Sequence, residues 1–325
     1  MNQVLLTNLT GRCFVKHKNF IGWTAVSIST LFASLWAFWG AIENFHEGWY
    51  FESFWENVAL MFVQYVPWSL GFVVLGIVSL RWPRIGGSIF ILIGILLPTL
   101  LIRTFAAVFF IALPLGTVGL LFWFGQPEPG IWAYRTVVGV PLAVLIGFSI
   151  EPAYRVSGRV DDGHYGARII EGNGVTLLWA PEGPGWPAHW SQFKAGTWDS
   201  VMKVCRYLTE DGTALADTAV NFWRLPTVDE AVRSLVRHGT NAGGTWEPSS
   251  REPSYEVIPD KESPLWKVHS PMIYWWTSTE VNDSVAYRIA YNGGVHAMPK
   301  KIRMGDFGFR AVRTVTPSPP EVGVR

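Results

Sequence analysis

Hydrophobic positions along the chain follow two regimes. Up to about residue 150 they form long unbroken runs. Ile21–Ile42, Val58–Leu80 and Thr104–Gly125 carry no charge, Ile85–Ile102 is shorter and contains Gly86, Gly87 and Pro98, and Ile131–Ile150 carries Arg135 near its start. The hydrocarbon layer of a bilayer is about 30 Å thick and takes roughly 20 apolar helical residues to cross. The pattern therefore predicts a transmembrane helical domain over residues 1–150 with about five spans. The third and fourth runs are separated only by Arg103. Together they would make about 60 Å of helix, twice one crossing, so a tight hairpin is preferred over a re-entrant or tilted element. The first run begins near residue 20 and is too long for a signal-peptide core, so it is expected as an uncleaved span.

After residue 150 the periodicity shortens. Residues 151–173 are broken by Pro152, Gly158, Gly163 and Gly166 and are expected as a linker. Gly174–Trp179 reads as a strand. Trp198, Val201, Met202, Cys205 and Leu208 recur at helical spacing behind Thr197, a natural N-cap. Thr227 with Glu230 three residues later is a capping box, opening a second helix whose apolar face is Val228, Val232, Leu235 and Val236, with Arg237 and His238 at its end. Residues 239–270 are rich in Gly and Pro and form a long loop. Tyr274–Glu280, Val285–Tyr291 and Val295–Met298 read as strands, the last two joined by the turn Asn292-Gly293-Gly294. Phe307–Arg313 reads as a closing strand, and residues 316–325 as a disordered tail.

Charge divides the chain at the same place. Residues 1–150 hold 7 Lys/Arg and 5 Asp/Glu, and residues 151–325 hold 19 and 20. A single water-soluble domain is excluded, as is intrinsic disorder. A formal net charge of +1 offers no field for nucleic acid. Arg12, Lys16 and Lys18 precede the first span and Arg81 and Arg84 follow the second, whereas residues 43–57 carry four Glu and no Lys or Arg. The positive-inside rule then puts the basic end in the cytoplasm and, with five spans, the C-terminal half outside. Four spans would reverse that, and Arg155 and Arg159 favour this alternative.

Chemistry is sparse. The two cysteines, Cys13 and Cys205, are far apart and expected on opposite sides of the membrane, so no disulfide framework is predicted. The five histidines of the C-terminal half show no metal-ligand spacing, and no metal or cofactor is expected. Asp161-Asp162 supplies too few oxygens for a hard cation alone. Arg103 and Arg135 lie near span ends, where a long side chain reaches water. The stretch Asn44–Tyr50 reads as an interfacial loop with aromatic anchors, the alternative being a small polar site.

The order Thr197-Trp198, Trp223-Arg224-Leu225-Pro226-Thr227, Tyr274-Trp275-Trp276-Thr277-Ser278-Thr279 and Phe309-Arg310-Ala311-Val312-Arg313 resembles the C-terminal domain of the Lcl collagen-like adhesin. That domain belongs to the C-type-lectin-like fold group, which also contains the sulfatase-modifying, formylglycine-generating enzymes. The resemblance covers roughly residues 174–315 and implies an α+β C-type-lectin-like domain that binds glycans or surfaces. A formylglycine-generating activity would need two cysteines in this domain, which has only Cys205. The front half resembles bacterial multi-span membrane proteins sharing Glu-Asn-Phe-His-Glu-Gly-Trp-Tyr and Arg-Trp-Pro-Arg, a resemblance that implies no activity. The expectation is a protein of the bacterial inner membrane, with the lipid bilayer as its first partner. Its lectin-like domain would face the periplasm or exterior and bind a glycan or protein through Trp246, Tyr255 and Trp266 of the long loop. The alternatives are a sensor or transport accessory whose spans carry the function, and, further off, the enzyme.

Overall fold

The computed structural model describes residues 2–47, 49–99, 112–186, 196–250, 252–270, 272–302 and 307–315, with side chains from Lys16 onward in the first helix. Contacts divide the chain into two compact units, Met1–His46 with Phe54–Ala153, and Glu47–Ser53 with Tyr154–Arg325.

The front unit is helical: α1 (Asn2–His46), α2 (Phe54–Leu60), a π turn (Met61–Tyr65), α3 (Pro67–Arg81), α4 (Pro83–Leu97), α5 (Leu113–Phe124) and α6 (Gly130–Ser157), whose last turn belongs to the rear unit. Two helical stretches, Lys16–His46 and Gly130–Ser157, are long and apolar enough to cross a membrane. At 1.5 Å per residue they reach about 46 and about 42 Å. The second predicted span is bent by 67° between Tyr65 and Pro67. Proline lacks the N–H and its ring crowds the carbonyl four residues back, and the π turn absorbs the mismatch. The predicted third and fourth spans return as α4 and α5, of 15 and 12 residues, each shorter than a full crossing. Arg103 and the predicted break there lie outside the described residues. α4 and α5 run antiparallel with their backbones close: a Cβ on Gly87 would sit 2.6 Å from the Gly119 carbonyl oxygen, and one on Gly94 would meet Leu115 and Ala112.

One end of this bundle is tied by hydrogen bonds. The Gln126 N–H donates to the Lys18 carbonyl (2.9 Å), the Glu128 N–H to Asn19 Oδ1 (2.8 Å), and Trp23 Nε1–H to the Glu128 carbonyl (3.1 Å). The interior is built of small residues and a few rings, Ala25, Val26, Ala133 and Val137 around Phe90 and Phe122. Large apolar side chains such as Leu31, Leu35, Leu92 and Phe148 face outward.

Among its described residues the rear unit holds three small sheets. β1 (Arg168–Glu171), β2 (Thr176–Trp179) and β9 (Val312–Thr314) form an antiparallel sheet. β3 (Val236–Arg237) pairs with β4 (Thr240–Asn241). The largest runs β7 (Val295–Pro299), β6 (Val285–Ala290), β5 (Tyr274–Asn282), β8 (Phe307–Gly308), with β8 parallel to β5. Two short helices pack on this framework. α7 (Trp198–Tyr207) is capped by Thr197, and α8 (Val228–Ser234) carries the full capping box of Thr227 and Glu230. The core is aromatic: Trp266 stacks on Trp275 at 3.7 Å and 7°, and Trp179 lies 5.6 Å from Trp275.

Three local expectations are corrected. The stretch 151–173 begins as the last turns of α6 and contains β1, so it is not a patternless linker. α8 stops at Ser234, where Leu235 turns extended (φ −63°, ψ 151°) and leads into β3; His238 and Gly239, both at positive φ (52° and 74°), then make the β3–β4 turn. Phe307–Arg313 is two strands in different sheets, since Arg310 between them turns inward and is buried.

Candidate functional site

The three residues expected to bind a ligand sit in the packed interior. Trp266 is 1% exposed, has its face covered by Trp275, and donates Nε1–H to the Met272 carbonyl (3.1 Å). Trp246 is 9% exposed and meets Tyr287 edge to face at 5.7 Å. Tyr255 is partly buried, its hydroxyl donates to the Gly293 carbonyl (3.0 Å), and burial raises its phenol. The structure thus offers no open aromatic face for a sugar ring at these residues. Their wide, flat side chains were indistinguishable by type from binding aromatics, and the distinction lies in long-range packing.

The same loop carries a feature the sequence reading missed, a buried charge cluster. The carboxylate of Asp260 accepts from Arg159 Nε (3.0 Å) and Nη2 (2.7 Å) and from Arg237 Nη1 (2.9 Å), with Arg155 Nε at 3.6 Å. Burial alone would raise this carboxyl, but Arg159, the Lys261 N–H and Arg155 together outweigh it and hold it below the usual carboxylate range. Glu262 accepts the N–H groups of Val160 (2.8 Å) and His238 (2.6 Å). Lys261, fully buried, donates to the Ser270 carbonyl, and burial next to Arg159 pushes its amine well down. The cluster fastens residues 155–162 to residues 260–263. It is a structural tie whose carboxylates are all engaged, and the Arg155–Arg159 spacing with Asp260-Lys261-Glu262 is its only sequence trace.

Other candidate chemistry is spoken for. Cys205 is buried on α7, and burial pushes its thiol up to about 12. The side chain of Cys13 lies outside the described residues. Asp162 pairs with Arg168 (2.7 Å) and Asp161 accepts from the Tyr165 hydroxyl (2.6 Å). Among the described residues no group of three or more His, Cys, Asp or Glu could hold a metal. Arg135 is exposed, its guanidinium 4.8 Å over the Trp132 ring. Arg310 is fully buried, with Nε bonded to the Ala180 carbonyl (2.9 Å) and its guanidinium 4.1 Å from the Trp186 ring.

In the front unit a cavity of about 390 Å³ opens at the tied end of the bundle, lined by Lys18, Arg81–Ile85 and Trp123–Gln126. This volume falls within the range of about 300–1,000 Å³ typical of ligand pockets.

Comparison with known proteins adds one match. Residues 15–139 fit the family model described as Domain of unknown function (DUF7670). The match spans both front-half stretches noted from sequence, Glu43–Tyr50 and Arg81–Arg84. No curated protein and no solved structure matches the chain.

Proposed function

We propose that this is an integral protein of a bacterial cytoplasmic membrane. Its front unit would cross the bilayer five times and carry the rear unit, a lectin-like module for a glycan or protein ligand, on the side away from the basic end. One observation carries the sidedness. The chain leaves the tied, basic end along α1, returns by α3, leaves by α4, returns by α5 and leaves again by α6. Taking α4 and α5 as two crossings, five passes alternate, and the basic residues Lys18, Arg81 and Arg84 share the end where the positive-inside rule expects cytoplasm.

The lectin-like part rests on the resemblance, supported by the order of two capped helices, a loop-rich stretch and a hairpin-built sheet. A ligand would be met by polar surface, because Trp246 and Trp266 are buried. The test labels single cysteines with a membrane-impermeant maleimide in right-side-out vesicles. Asp283→Cys, in the exposed β5–β6 turn, is expected to react at once, and His17→Cys only after permeabilisation. The opposite pattern, or equal access, removes the reading. Binding is tested with the full chain in nanodiscs on a glycan array that includes sulfated members. Silence across the array ends the glycan assignment and leaves a protein ligand.

A further inference from the structure

The basic cavity of the front unit plays no part in the reading above beyond marking a side. We propose that it binds a phosphate group, that of an anionic phospholipid in the surrounding leaflet. Three cations, Lys18, Arg81 and Arg84, line it together with no carboxylate. None of the three takes part in an ion pair among the described residues. Like charges sharing one concavity repel, and a bound anion reverses that sign.

Two further features match a phosphate on a lipid. α4 starts at the cavity with Pro83 in its first turn and no side-chain cap. Its first N–H groups have no intrahelical acceptor, and the helix dipole is positive there. The walls are amphipathic: Trp82, Ile85, Trp123 and Phe124 line the cavity and are themselves exposed on the apolar flank of the bundle. Indole rings favour the headgroup layer, and basic pockets between spans are where anionic headgroups bind. Setting orientation requires only that basic residues lie near span ends. It does not require them to converge on one hollow with a bare helix N-terminus.

This inference rests on the membrane reading of the front unit, and its test separates the two. The full chain in neutral detergent is melted with phosphatidylglycerol, phosphatidylcholine or inorganic phosphate at matched ionic strength, and apparent affinity is taken from the shift. Phosphatidylglycerol is expected to bind about tenfold tighter than phosphatidylcholine, whose tethered choline meets the three cations. Each of Lys18→Gln, Arg81→Gln and Arg84→Gln is expected to weaken it about fivefold. Lys16→Gln, which removes an exposed cation that does not line the cavity, is expected to change nothing. Equal affinity for inorganic phosphate supports the phosphate site and assigns it a soluble source. Equal response to the two lipids, or a loss with Lys16→Gln as large as with Arg84→Gln, overturns the proposal. A chain that stays in the aqueous fraction without detergent defeats the membrane reading instead.

Discussion

The two units solve the same packing problem in opposite ways. In the front unit the inside is small and the outside is large. Ala33, Ala37 and Ala41 are buried on α1 while Leu31, Leu35 and Trp39 of the same helix face out. In the rear unit the inside is large, with Trp179, Trp266, Trp275 and Trp276 among its fully buried side chains, and it also encloses Asp260, Lys261 and Glu262. In lipid, which is as apolar as leucine, helices would gain nothing by hiding large side chains and would gain contact by bringing backbones close, the pattern that the front unit shows. Water rewards burial of apolar area, roughly 25 cal/mol per Å², so the rear unit hides its rings.

The largest effect expected is on the rear core. Trp275→Ala removes a ring stacked at 3.7 Å on Trp266 and tilted against Trp179. A loss of about 3–5 kcal/mol is expected. Hydrogen exchange on the full chain in detergent reads it as lost protection of β5 and β6 amides, with the amides of α1 and of α6 before Tyr154 unchanged. Spread of the loss into the front helices would contradict two separately stabilised units.

Next comes Asp260→Asn, which leaves Arg159 and Arg237 without their shared carboxylate. Removing one partner of a buried pair typically costs about 3 kcal/mol or more. Because Asp260 is held below the usual carboxylate range, its contribution is present above its unfolded pKa and disappears as pH falls through its folded value. Rear-unit stability should therefore drop on acidification, and the Asn variant should flatten that drop. An equally steep acid limb in the variant would assign the effect to other carboxylates.

The front unit offers the reversed sign. In a water-exposed helix Gly→Ala stabilises by about 0.5–1 kcal/mol. At Gly87 the new Cβ would lie 2.6 Å from the Gly119 carbonyl oxygen, a backbone atom that moves only with its helix. Gly87→Ala should therefore destabilise the α4–α5 pair, by about 1–3 kcal/mol. Gly139→Ala, where nothing lies within 4 Å of the new Cβ, is the control and should show no loss. Equal responses at the two positions would mean that close backbone approach does not hold the front unit together.

What could be read from sequence follows the range of the interactions. The caps at Thr197 and Thr227 were legible because they act over three residues. So was the split between apolar runs and charged chain, which reflects solvent. The rear end of α8 was not, because Leu235 turns extended inside an apolar stripe that continues to Val236. Nor was the anchoring of residues 159–162, which depends on partners about a hundred positions away: Val160 on Glu262, and Arg159 on Asp260. Trp246 and Trp266 were misjudged because their exposure is set by packing against the rings of Tyr287 and Trp275, which residue type alone does not show. In the front unit the cations were visible, but their convergence on one cavity needed the helices to be folded back on one another.

The smallest effect tests the rear unit where sequence and structure agree. The Thr227 hydroxyl accepts the Glu230 N–H (3.1 Å), and the Glu230 carboxylate accepts the Thr227 N–H (2.8 Å) while holding Arg224 through two bonds of 2.6 and 2.7 Å. Thr227→Ala deletes one of these and should lower rear-unit stability by about 1 kcal/mol. Thr227→Ser keeps the acceptor oxygen and should be nearly neutral. Pairing Thr227→Ala with Glu230→Gln in a double-mutant cycle separates the two halves of the box. Glu230→Gln also gives up the ion pair to Arg224, so it should weaken the unit more than Thr227→Ala, and the cycle should show the two losses to be less than additive. Strict additivity would mean that the two halves of the box act independently, and single losses near zero would mean that α8 is held by its apolar face, Val228, Ala231 and Val232.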